Sequence, residues 1–242
     1  MINKYLKNKY PVEDNPSLED YLQWDIYVWS KALSFWTDVL KSKKINGGSA
    51  LEIGSRNGGL SLYLAHEFNF NVISTDIDEA PETAKQLHKK YGADKMIKYE
   101  IADAADLKYE PNTFDAVIFK SVLGSIGKNN NIQLQKKAVN EMHRVLKPGG
   151  ILLFAENSKA TYLHRIFRKV FRKWASYWRY VTFNELSDML SLFQHKEVKT
   201  AGFISAFFPN KNLKKIIFPL DNFLERIISQ KSRYVIYGYA VK

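Results

Sequence analysis

Leu51-Glu52-Ile53-Gly54-Ser55-Arg56-Asn57-Gly58-Gly59-Leu60 joins a short apolar run, Ala50 to Ile53, to a segment whose apolar residues recur at helical spacing as far as Phe68. The junction reads as strand, turn, helix. Glycines in such a turn let backbone N–H groups approach a ligand at the helix N-terminus. A dinucleotide-binding turn needs G-x-G-x-x-G, and glycines at 54, 58 and 59 do not satisfy it.

Strand-like and helix-like stretches alternate outward from this junction. Val72 to Thr75 reads as a strand ending at Asp76, followed by Ile97 to Ile101, Phe114 to Phe119 and Ile151 to Ala155. Two more fall near Glu197 to Ile204 and Tyr234 to Val241. Pro81 suits the first position of a helix running to Tyr91. A helix from about Ile132 to Leu146 meets the stop signal Lys147-Pro148-Gly149-Gly150, and Thr182-Phe183-Asn184-Glu185 reads as a capping box for a helix to about Phe193. The pattern predicts an α/β fold: a doubly wound, seven-stranded, mostly parallel sheet with helices on both faces. Ahead of it, Ser17 caps one long helix ending among Lys41, Lys43, Lys44 and Gly47. Its Tyr27, Trp24, Trp29 and Trp36 first suggest a core-covering element, and secondarily a cover for a substrate cleft.

The chain has 242 residues, 45% hydrophobic and 25% charged, which suits one domain over 1–242 with one sizeable core. It contains no cysteine, which excludes disulfides, thiolate nucleophiles and cysteine-ligated zinc, and fits a reducing cytoplasm. The histidines and acids show no metal-ligand spacing. The polar, lysine-rich start from Met1 to Tyr10 does not read as a signal peptide, and no apolar stretch is long enough to span a bilayer. The net charge of +11 is localised. Residues 158–181 carry Lys159, Arg165, Arg168, Lys169, Arg172, Lys173 and Arg179 with no acid, and residues 205–233 carry six basic residues against Asp221 and Glu225. The remainder is neutral, so the positive field sits on two insertions, after strand five and between strands six and seven. A confined positive field suits an anionic partner.

Open α/β sheets bind ligands outside the carboxyl ends of their strands, where a carboxylate such as Asp76 can hold ribose hydroxyls. Asp103-Ala104 adds an acid at the same edge, although Asp106 lies close enough in sequence to serve instead.

The ordered set LEIGSRNGG (51–59), ISTDID (73–78), IADAADLKYEPNTFDAVIFKSVLGSIG (101–127) and EMHRVLKPGGILLFAE (141–156) resembles the class I S-adenosylmethionine-dependent methyltransferase family, in its Glu-x-Gly branch. The resemblance implies a Rossmann-like sheet with strand seven antiparallel, S-adenosylmethionine as cofactor, and residues 47–157 as its binding half. Glu52, Gly54 and Gly58, with Ser55 and Arg56 of the same turn, would contact its methionine end. Asp76 would hold the ribose, Ile77 flank the adenine, Asp103 bond the adenine amino group beside Ala104, and Lys120 and Ser121 line the floor near the methyl group. Arg56 stands where the family usually has glycine. A positive φ there would strain it, so the expectation is an adjusted turn with Arg56 facing a cofactor carboxylate or a substrate anion.

For catalysis, Glu156 at the end of strand five and His164 in the first insertion are the candidates, as base or substrate contact. The other histidines read as structural or solvated. Tyr162 to Trp174 is amphipathic, with Leu163, Ile166, Phe167, Val170, Phe171 and Trp174 on one face and basic residues on the other. The plain expectation is a helix packed by its apolar face with a solvated basic face. Rival expectations are peripheral contact with the inner face of a membrane, or a grip on an anionic glycan or lipid-linked substrate. The function expected is methyl transfer, to oxygen, on a small-molecule, glycan or lipid-linked acceptor. The alternatives are an RNA methyltransferase and a non-catalytic cofactor-binding protein at a membrane. Nucleic acid is disfavoured by the absence of cysteine and by Phe119-Lys120-Ser121-Val122 where amino-methylating relatives carry Asn/Asp-Pro-Pro-aromatic.

Overall fold

The computed structural model describes residues 15–171, 177–208 and 210–242. Met1 to Tyr10 and Arg172, Lys173 and Trp174 of the amphipathic segment therefore lie outside the described residues. Seven strands form one sheet: β1 (Gly48–Ile53), β2 (Phe70–Asp76), β3 (Ile97–Ile101), β4 (Phe114–Lys120), β5 (Leu146–Asn157), β6 (His195–Ala201) and β7 (Val235–Val241). Their order is β3-β2-β1-β4-β5-β7-β6. The first five are parallel, and β7 runs antiparallel to both β5 and β6. The order switches direction at β1, with β2 on one side and β4 on the other, which opens a crevice at the carboxyl ends of these strands.

The helices are α1 (Leu18–Leu22), α2 (Ile26–Ser42), α3 (Gly59–Phe68), α4 (Glu82–Lys90), α5 (Leu123–Ile126), α6 (Ile132–Val145), α7 (Tyr162–Phe171), α8 (Phe183–Met189) and α9 (Lys211–Leu224). Strand pleat sorts the core into two layers. Leu51, Ile53, Val117, Phe119, Leu152 and Phe154 pack with Met142 of α6 and Leu186 of α8. Ala50, Ile118 and Leu153 point the other way, beneath Trp29 and Trp36 of α2 and Leu62 and Leu64 of α3. Trp36 is fully buried, and its indole Nε1–H donates to the Gly238 carbonyl at 2.9 Å, pinning α2 to β7.

The single long N-terminal helix expected from the sequence is two helices. Gln23 and Asp25 take left-handed φ values of 66° and 49°, breaking the rod after Leu22. Tertiary partners hold the break open: Asp25 Oδ1 pairs with Lys214 Nζ at 2.6 Å and Oδ2 accepts from the Tyr234 hydroxyl at 2.7 Å. Leu22 and Trp29 are two helical turns apart, so the apolar rhythm carries on across the interruption and conceals it. Elsewhere the differences are at element ends: Pro81 caps α4 from outside it, α8 stops at Met189, β5 starts already at Leu146, and β6 occupies His195–Ala201.

Candidate functional site

The turn after β1 is built from left-handed residues. Gly54 has φ 68°, and a Cβ there would lie 2.5 Å from Val122 Cγ2, so the close approach of the β4–α5 turn requires glycine. Arg56 keeps φ 51°; the adjusted turn expected at this residue is not what forms. Its backbone N–H donates to Asp76 Oδ2 at 2.8 Å, and that bond helps hold the strained conformation. The Arg56 guanidinium lies 5.4 Å from the Trp24 ring centre.

Glu52 is buried and caps α3 from below: its Oε2 accepts the Ser61 backbone N–H at 2.8 Å and the Ser61 hydroxyl. Burial pushes its pKa up to about 7. Gly58 does not border the cavity described below. Its carbonyl accepts from His88 Nε2–H at 2.8 Å, while His88 Nδ1 accepts from the Tyr99 hydroxyl at 2.5 Å. His88 is therefore a buried brace for the turn.

A cavity of about 820 Å³ lies over the carboxyl ends of β1, β2, β3 and β4. Of the residues singled out from the sequence, Glu52, Gly54, Ser55, Arg56, Asp76, Ile77, Asp103, Ala104, Lys120 and Ser121 all border it. Ile77 presents an exposed apolar side chain there. Asp103, not Asp106, reaches the cavity; Asp106 turns away to pair with Lys108. A second cavity, of about 580 Å³, adjoins the first: Gln23, Trp24, Arg56, Ser121 and Trp178 border both. Its further wall carries Asp25, Tyr27, Arg168, Lys211, Lys214 and Tyr234.

Lys120 stands where the cavities meet Trp24. Its Nζ lies 3.1 Å from the Trp24 ring centre and 4.8 Å from that of Trp29, and has no hydrogen-bond partner. Burial drives its pKa down to about 7, against the upward pull of Glu52. Trp24, expected first as a core-covering aromatic and secondarily as a cover for a substrate cleft, borders both cavities.

The two catalytic candidates are not free to act as bases. Glu156 is fully buried, lies on the opposite sheet face from Glu52 and Lys120, and borders neither cavity. Its Oε2 accepts from the N–H groups of Val122 (2.9 Å) and Leu123 (2.7 Å), and Oε1 from that of Asn157 (2.8 Å). It fixes the turn after β4. His164 borders the second cavity, but its Nε2–H donates to the Phe203 carbonyl at 2.8 Å and its Nδ1 accepts from the Thr161 hydroxyl at 2.7 Å. Both nitrogens are engaged and burial holds the pKa below its ordinary value, so the ring is neutral and structural. Among the described residues no cluster of His, Asp or Glu could hold a metal ion, and no helix is long and apolar enough to cross a membrane.

Residues 51–154 match the family model described as a methyltransferase domain. Among curated relatives, a 2-methyl-6-phytyl-1,4-hydroquinone methyltransferase from Synechocystis is 30% identical over 144 residues, covering 59% of this chain and 42% of that protein. The chain therefore spans less than half the length of such relatives. Among solved structures, the Haemonchus contortus phosphoethanolamine N-methyltransferase 2, in complex with phosphomonomethylethanolamine and S-adenosylhomocysteine, superposes with TM-score 0.58 at 18% identity, covering 88% of this chain and 52% of that one. The [4+2]-cyclase SpnF superposes with TM-score 0.61 at 17% identity, covering 100% and 90%. These structural likenesses establish the fold and leave the acceptor open. Residues 51–154 match a methyltransferase domain, and the sheet to which they contribute has the class I, Rossmann-like methyltransferase fold.

Proposed function

We propose that the chain transfers a methyl group from S-adenosylmethionine in the first cavity to an acceptor in the second. The acceptor atom is a hydroxyl oxygen of a small molecule, a glycan or a lipid-linked intermediate, and the basic insertions allow peripheral membrane contact. One observation carries the reading: the 54–59 turn, Asp76 and Asp103 converge on one hollow that continues past Trp24 into another. The donor set fits the cofactor. Positive-φ residues form the cradle, carboxylates suit ribose hydroxyls and an adenine amino group, Ile77 offers an apolar surface to a ring, and Lys120 is an orphaned buried polar group at the floor. Glu52, Gly54, Ser55 and Arg56 would hold the methionine end, Asp76 the ribose, and Ile77, Asp103 and Ala104 the adenine. Gly58 supports the turn from behind.

When bound, S-adenosylmethionine supplies a methyl group already activated by its positive sulfur, so assistance is needed only at the acceptor. The walls of the second cavity align the acceptor. Trp24 and Trp29 cover Lys120 at the floor of the first cavity and exclude water from it. With its pKa near neutrality, the Lys120 amine can take the proton of an acceptor hydroxyl. Arg56, Arg168 and Lys211 border the second cavity and suit an anionic group on the acceptor.

Calorimetric titration with S-adenosylhomocysteine tests the cofactor assignment. Asp76→Asn retains an oxygen for the Arg56 N–H but loses the charge, and is expected to bind about ten- to a hundredfold more weakly, the cost of weakening charged hydrogen bonds. Equal affinities would reject it. Product analysis against hydroxyl, amine and carbon acceptors then decides the atom methylated.

A further inference from the structure

Both insertion helices turn an apolar stripe outward. On α9, Leu213, Ile216, Leu220 and Phe223 form one stripe, continued by Ile227, and all are exposed, Ile216 by 73% and Phe223 by 57%. The face turned inward carries charge beside Phe218, whose ring lies 5.8 Å from that of Tyr27. Lys214 pairs with Asp25 at 2.6 Å, Asp221 accepts the N–H groups of Phe203, Ile204 and Ser205 at 2.7–3.1 Å, and Glu225, just past the helix, pairs with Lys31 at 2.7 Å. On α7, Leu163, Ile166 and Val170 are exposed, while His164 is buried and Arg168 donates to the Ser158 carbonyl at 2.6 Å. Of the apolar face expected to pack inward, Phe167 does so, its ring 5.4 Å from that of Phe207, while Leu163, Ile166, Val170 and Phe171 stay exposed. Both helices pack against the same short turn, Ile204–Phe207, so the two apolar faces belong to one region of the molecule.

The charge around these faces has one sign. Arg165, Lys169, Lys215 and Arg226 are exposed among the apolar residues. The carboxylates of the two insertions, Asp221 and Glu225, are both committed inward. A second copy of the chain would oppose basic surface to basic surface across a two-fold axis. An apolar strip several residues wide, flanked only by cations, is instead complementary to the headgroup and upper acyl region of an anionic bilayer.

We infer that the outer faces of α7 and α9 dock this protein on anionic lipid membranes, with Leu163, Ile166, Val170, Ile216, Leu220 and Phe223 entering the acyl boundary. The inference is independent of the chemistry proposed above.

The test is cosedimentation of the full chain with phosphatidylcholine vesicles and with vesicles of phosphatidylcholine and phosphatidylglycerol. The wild type is expected to bind the anionic vesicles, and weakly if at all the zwitterionic ones. The pairs Ile216→Asp/Phe223→Asp and Leu163→Asp/Val170→Asp each place carboxylates in the strip and should weaken binding roughly tenfold or more. An unchanged unfolding midpoint and unchanged S-adenosylhomocysteine affinity in these variants separate a docking defect from a folding or cofactor defect. Failure of the wild type to bind, full retention by both pairs, or a dimer in light scattering that the substitutions dissolve would each overturn the inference.

Discussion

Replacing Lys120 by Met should make the protein more stable and less active, with a stability gain that fades as pH rises. Lys120 as a residue is 9% exposed, and its amine is shielded from solvent and lacks a hydrogen-bond partner. Burial lowers its pKa from 10.5 to about 7. Between those two values the unfolded chain holds a proton that the folded chain has released, so wild-type stability rises with pH across that window. At and below the folded pKa the whole cost is present. At ~1.36 kcal/mol per pH unit, it amounts to roughly 5 kcal/mol. Two aromatic faces oppose it: Nζ lies 3.1 Å and 4.8 Å from the ring centres of Trp24 and Trp29. Each such contact is worth ~1–2 kcal/mol when desolvated, which leaves desolvation ahead by roughly 1–3 kcal/mol. Methionine has similar length and a thioether that packs well on aromatic rings. Urea unfolding at a series of pH values, with constant m, measures the difference directly. Lys120→Met should exceed wild type by ~1–3 kcal/mol near neutrality, with the margin shrinking towards pH 10. A margin that is flat with pH, or a variant less stable near neutrality, would refute the reasoning. If the amine takes the acceptor's proton, turnover should also fall by ~10²–10⁴-fold. A variant that is stabilised yet inactive bears the mark of a residue retained for function.

Two further outcomes concern the supports of the site. Gly59→Ala would put a Cβ 2.3 Å from the Tyr21 carbonyl oxygen and 2.7 Å from that of Asp20; backbone cannot swing aside, so α1 must shift, at ~1–3 kcal/mol, and an unchanged thermal midpoint would contradict this packing. His164→Gln should keep turnover within about threefold of wild type, where loss of a true base costs ~10²–10⁴-fold. Because burial keeps folded His164 neutral while the unfolded histidine gains a proton below its ordinary 6.5, wild-type stability falls as pH drops beneath that value, and the variant should lose ~1.4 kcal/mol per pH unit of that slope. An acid limb identical in both proteins would show that His164 is solvated.

The sheet was legible because its strands are short apolar runs bounded by turn residues, and because Asp76 ends β2 and Asp103 lies just past β3, at carboxyl edges that must meet in a parallel sheet. What local sequence could not supply is tertiary. Gln23 and Asp25 take left-handed conformations that neither residue type demands; Lys214 and Tyr234, almost 200 positions away, hold Asp25 there, and the resulting gap brings Trp24 over Lys120. Arg56 keeps the backbone of the glycine it replaces because Asp76 receives its N–H. Glu156 and His164 were chosen for their places along the chain. Pleat counting across the strands would have set Glu156 on the opposite face from Lys120, since Lys120 is in register with Ala155.

The direction of an amphipathic helix is harder still. Periodicity defines two faces and cannot say which turns inward. In α9 the decision falls to Asp221, whose carboxylate closes three backbone N–H groups of the turn beside it, and to Lys214, which reaches Asp25 at the break before α2. Removing either from the interior would strand a buried partner, at ~1–3 kcal/mol for each unsatisfied group and more for an unpaired charge. Exposing a leucine-sized side chain costs ~1.5–3 kcal/mol, so four such residues on α9 offset much of that gain unless something covers them. The same inward charges that shape the polar wall of the second cavity thus oblige the outer face to be apolar, so the second cavity and the apolar surface follow from one choice of helix orientation.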